Sequence, residues 1–145
     1  MLLALGLAAF CGDDARGQDL APNVDIAGVW TLQTKVFQGV CRMTGALTLD
    51  PTGAPNEYVG RLEAHQRCVL DDWREDTLAV QSVRAVRDGD HLSIVSTIES
   101  VTPGTGPYAP DNFELTIVDG ALMSGELHGF NIIPARFERG EAPIA

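Results

Sequence analysis

From Ile26 onward, apolar and polar residues alternate along this chain with a period of two. No stretch keeps the helical rhythm that would set an apolar stripe along one side of a helix. The first run, IAGVWTLQTKV, places Ile26, Gly28, Trp30, Leu32, Thr34 and Val36 on one face. CRMTGALTLD and EYVGRLEAHQRC come next, then TLAVQSVRAVR and HLSIVSTIE on either side of Asp88-Gly89-Asp90. NFELTIV and ALMSGELHGF flank Asp119-Gly120, and IPARFER closes the series. Side chains of a strand point to opposite faces in turn, so such alternation marks strands with one buried face. The pattern predicts eight strands, no internal repeat, and one domain over residues 26–145.

The second and third runs can be set in register by their turn. Pairing about Ala54-Pro55 puts Cys41 opposite Cys68, Gly45 opposite Ala64, Leu47 opposite Leu62, and Met43 opposite Gln66. The outer face then carries Arg42, Thr44, Thr48, Arg61, Glu63, His65 and Arg67, with one unfavourable like-charge pair, Arg42 against Arg67. Directly opposed cysteines across antiparallel strands reach disulfide separation, so Cys41 and Cys68 are expected to form a staple. A metal site is not expected. The cysteines lack a C-x-x-C partner, and the three histidines are scattered at His65, His91 and His128.

Connections sort by length. Pro51 to Asn56, Asp88-Gly89-Asp90 and Asp119-Gly120 are compact turns at one end of an antiparallel sheet. Phe37 to Val40, Val69 to Asp76, Ser100 to Asp111 and the Phe130-Asn131-Ile132 bend fall at the other. Eight short strands remove their exposed edges by closing on themselves. The expected fold is all-β, an eight-stranded antiparallel up-and-down β-barrel with one tight end and one loop-rich end.

Composition narrows the setting. A hydrophobic content of 45% excludes wholesale disorder, and 145 residues suffice for one core. The net charge of −10 argues against nucleic acid or an anionic membrane surface as partner. Leu2 to Phe10 is an unbroken apolar run too short to span a bilayer, and Ala15-Arg16-Gly17 supplies small residues beyond it. Residues 1–17 therefore read as a cleaved signal peptide and 18–25 as an N-terminal arm, in a periplasmic or secreted protein. The alternative is a lipoprotein anchored through Cys11. Either way Cys41 and Cys68 remain as a pair in an oxidising compartment.

Gly28-Val29-Trp30 opens the first strand and Arg139 ends the last. This resembles the calycin superfamily of lipocalins and avidins, in which a Gly-x-Trp opens the first strand at the closed end. In lipocalins a late arginine packs across that tryptophan, which implies a structural role for Gly28, Trp30 and Arg139. Gly28-x-Trp30-x-Leu32 followed by Cys41 and Cys68 also resembles Inh-type bacterial metalloprotease inhibitors. That likeness is confined to the N-terminal half and implies an arm, Gln18 to Asp25, that enters a protease cleft.

Catalytic signatures are lacking. No serine sits in a nucleophile elbow, and no glycine-rich phosphate cradle occurs. Asp71, Asp72, Glu75 and Asp76 do not follow a calcium-loop spacing and read as a solvated acidic loop. The chain is therefore not expected to be an enzyme or to carry a cofactor. Phe37, Trp73, Tyr108 and Phe130 each fall in a different connection at the loop-rich end, and Met43 and Gln66 lie on an inward face. Aromatic rings with a few polar groups at a cavity mouth are how small apolar ligands are held. Binding of a small apolar or amphipathic molecule through these six residues is the expectation; a protease-inhibitor or protein-binding module is the alternative.

Overall fold

The computed structural model describes residues 24–104 and 106–140, so the expected signal peptide (1–17), Cys11 and most of the expected arm lie outside the described residues. Eight strands run in chain order: β1 (Gly28–Thr34), β2 (Cys41–Pro51), β3 (Glu57–Leu70), β4 (Trp73–Asp88), β5 (His91–Thr102), β6 (Asn112–Asp119), β7 (Leu122–His128) and β8 (Ile132–Arg139). Each pairs antiparallel with the next, and β1 pairs with β8, which closes the barrel. Up-and-down connectivity and closure are as the alternation predicts.

The β2–β3 ladder has the expected register throughout, from Cys41 opposite Cys68 to Pro51 opposite Tyr58. Cys41 and Cys68 are bridged, with their Cα atoms 4.0 Å apart. Both lie inside the barrel wall, nearly free of solvent. Arg42 does face Arg67, and Asp76 on β4 relieves the crowding by accepting a hydrogen bond from Arg67 Nε at 3.1 Å.

Inward positions fill the barrel for most of its height. Trp30, Leu32, Leu47, Leu49, Leu62, Leu92, Ile94, Phe113, Leu115 and Phe137 are buried in one cluster. Phe113 and Phe137 meet edge to face, with ring centroids 5.0 Å apart, a favoured aromatic geometry.

The closed end is sealed by two arginines. Trp30 pairs with Arg139 across β1 and β8, and the guanidinium lies 4.3 Å from the indole centroid. Arg139 also donates to the backbone carbonyls of Gly120, Ala27 and Asp25, while Trp30 Nε1 donates to Ile26 at 2.9 Å. Buried Arg87 donates to the carbonyls of Gly89 and Val24. Stacked cation and carbonyl acceptors together tie the chain entering β1 to the closed end.

Three expectations need correction. Val69 to Asp76 is not a long loop. β3 and β4 continue as a hairpin turned at Asp71-Asp72, with Leu70 opposite Trp73. The acidic residues there sit on a tip that outruns β2, so no core enforces alternation on them. Val36 is not inward either; β1 ends at Thr34 and Val36 is half exposed. Gly129 belongs to the turn between β7 and β8 rather than to a strand face. Among connections at the open end, the long one is 103–111, between β5 and β6.

Candidate functional site

That connection makes the site. β5 and β6 pair over only four rows, from His91 opposite Thr116 to Ile94 opposite Phe113. Beyond Ile94 the two strands part, and Tyr108 and Asp111 occupy the gap. Ser96, on an inward position of β5, holds the end of the connection. The Ser96 hydroxyl donates to the carbonyl of Asp111, and its N–H donates to Asn112 Oδ1 at 2.8 Å.

Asp111 is thereby drawn inside the barrel, where it is only 3% exposed. Gln81, fully buried on β4, clasps it twice. Gln81 Nε2 donates to Asp111 Oδ2 at 2.7 Å, and the Asp111 N–H donates to Gln81 Oε1 at 2.9 Å. Tyr108 Oη donates to the same Oδ2 at 2.7 Å. The β4–β5 register shifts between Val80 and Gln81, where Ile98 and Ser100 stand opposite and Glu99 has no partner. Such a bulge re-aims side chains and recurs beside binding sites.

Burial pushes the Asp111 carboxyl up from its ordinary value, and the hydrogen bonds from Tyr108 and Gln81 oppose that rise without cancelling it. The Tyr108 phenol is also pushed up, first by burial and then by the charge and hydrogen bond of Asp111, so it remains a donor. No salt bridge among the described residues reaches Asp111. The carboxylate is satisfied only by neutral donors.

Above this clasp lies a cavity of about 90 Å³, lined among others by Phe37, Met43, Gln66, Tyr108, Asp111 and Phe130. Five of the six residues expected at a mouth are therefore gathered there. Trp73 is not: it stands on the β3–β4 tip, 48% exposed, away from the cavity lining. Met43 forms part of the buried floor, and its N–H donates to Thr34 Oγ1 at 3.0 Å. Of the apolar residues that line the cavity, Phe130 at the β7–β8 turn is the largely exposed one.

Two wider clefts, of about 500 and 520 Å³, lie along the outer wall and are edged by exposed side chains such as Gln33, Lys35 and Arg136 or Arg42 and Arg67. Neither holds a buried charge, so the open-end cavity carries the more specific chemistry. Gln81 and Asp111 are the residues that sequence reasoning missed. Gln81 sits at an inward position of its strand pattern, an unusual place for an amide, and that parity was the available signal. Asp111 gave none, because it lies in a Pro-rich connection where aspartate is ordinary.

No protein-family model matches this chain, and no curated protein or solved structure matches it either.

Proposed function

We propose that this chain is an exported, non-enzymatic binding barrel that takes a small apolar or amphipathic molecule at its open end. The observation that carries the reading is a polar-floored, aromatic-walled cavity above an otherwise filled barrel. Its size refines the ligand. Pockets that enclose whole drug-sized molecules hold roughly 300–1,000 Å³, whereas a water occupies about 30 Å³ in the liquid. A cavity of about 90 Å³ therefore admits one end of a ligand, a group of a few heavy atoms. The remainder would lie against Phe37 and Phe130 at the mouth. Export is supported by the Cys41–Cys68 bridge and by the apolar N-terminal run. The Trp30–Arg139 stack and the barrel closure support kinship of the calycin or lipocalin kind.

The test is calorimetric titration with an eight-carbon primary alcohol. Saturable binding at one site per chain is expected, weakened at least fivefold in the double variant Phe37→Ala/Phe130→Ala. Absence of saturable binding, or binding indifferent to both rings, would sink the reading.

A protease-inhibitor or protein-binding role remains the second reading, favoured by one observation. Hydrogen bonds from Arg87 to Val24 and from Arg139 to Asp25 root the arm at the closed end, opposite the cavity. Deleting residues 18–23 would abolish such an activity and leave alcohol binding intact, so the two readings separate experimentally.

A further inference from the structure

We propose that the group entering the cavity is a cation, an alkylammonium head, and that it binds on Asp111 Oδ1. The inference rests on the open-end reading above and adds the chemical class of the ligand. A carboxylate offers about four acceptor positions on two oxygens. Both side-chain donors that reach Asp111, Gln81 Nε2 and Tyr108 Oη, end on Oδ2. Among the described residues no hydrogen bond ends on Oδ1, although Asp111 is 97% buried by its 3% exposure. Among the described residues, the side-chain atom that is both walled from solvent and without a partner is Arg87 Nη2, at the opposite end, and Oδ1 is not such an orphan. Asp111 lines the cavity together with Gly129, and a Cβ built on Gly129 would stand 3.8 Å from Oδ1. The open acceptor therefore faces the space a ligand would fill.

Electrostatics selects among heads. An ionised carboxylate out of water needs a positive partner or a proton, because neutral donors recover only part of its lost hydration. Burial favours the proton here, as the raised Asp111 titration reflects, and an ammonium brings the positive partner instead. A carboxylate ligand would place like charges together, and an alcohol would bring one weak donor. An ammonium group matches the size of the cavity, and its three donors can be shared between Oδ1 and other acceptors of the lining, which includes the Gln66 amide. The net charge of −10 adds a long-range attraction for cations.

The experiment compares octylammonium, 1-octanol and octanoate by calorimetric titration of the folded protein at neutral pH, in moderate salt. Octylammonium should bind at least tenfold tighter than the alcohol, octanoate weaker than both, and Asp111→Asn should bring octylammonium to the level of the alcohol. If Asp111→Asn does not fold, Gly129→Leu serves, because its side chain covers Oδ1 from the turn. Equal affinity of ammonium and alcohol overturns the cation assignment and leaves the open-end reading standing. A preference for ammonium that survives both substitutions also overturns it, since that is attraction to the acidic surface. Binding of none of the three removes both readings together.

Discussion

Tyr108→Phe isolates one of the bonds that hold Asp111 in the barrel. The substitution keeps the ring and removes only the hydroxyl that donates to Asp111 Oδ2 at 2.7 Å. A hydrogen bond to a charged group is worth about 1.5–3 kcal/mol, against about 0.5–1.5 kcal/mol between neutral groups. Asp111 is almost wholly buried, and Gln81 alone would remain on that oxygen, so a loss of about 2 kcal/mol is expected at neutral pH. The pH dependence follows from Asp111. Its folded pKa lies above the ordinary 3.8, so by itself this group favours folding most below the unfolded value and loses that contribution as pH rises through the folded one. The Tyr108 bond lowers the folded pKa relative to a chain without it. Its removal therefore costs most where Asp111 is ionised in both proteins, and the cost shrinks as pH falls through the two folded values. Urea denaturation of both proteins, from neutral to acidic pH, measures the difference. It should fall from about 2 kcal/mol to about 1 kcal/mol or less on acidification. A difference below about 0.5 kcal/mol at neutral pH, or one that does not change with pH, would refute the picture of a buried carboxylate tied by a phenol.

Two further outcomes concern the barrel itself. At Gly60, opposite Leu49, a Cβ would stand 1.7 Å from the Thr48 carbonyl oxygen, an obstruction of backbone that no rotamer change relieves. Gly60→Ala should cost about 3 kcal/mol or more by chemical denaturation, at or above the upper end of ordinary overpacking, whereas Gly39→Ala, with open space around it and only a positive φ to strain, should cost about 1 kcal/mol. The bridged cysteines are 27 positions apart, and closing a loop of that length limits the unfolded chain by about 3–4 kcal/mol. Cys41→Ala/Cys68→Ala should lower stability by no more than that and leave β-sheet circular dichroism intact, since eleven ladder rows hold the same hairpin; collapse of the β signal would contradict it.

What the chain alone determines is the wall of the barrel. Burial of one face of each strand demands alternation, and a shift of one residue would turn every core side chain outward, so pattern fixes strand identity and register together. The β2–β3 pairing and the Cys41–Cys68 bridge follow from this and are legible in the sequence, whereas the meeting of Trp30 with Arg139 is implied there only by the resemblance to lipocalins. Where burial ends, legibility ends. Asp71 to Asp76 carry the pattern of a loop because the hairpin tip outruns its β2 neighbour, so solvent accepts acidic residues on both faces of a regular strand. Val36 alternates in phase with the core yet lies past the last rung of β1. The site depends still more on tertiary structure. Gln81 and Asp111 are 30 positions apart, and neither carries a motif. They meet because β5 and β6 part after four rows, the bulge beside Gln81 resets the wall, and Tyr108 and Asp111 occupy the gap. The free volume above them is what remains after Met43, Leu127, Ile133 and Tyr108 have packed, a difference between shapes that no residue pattern records.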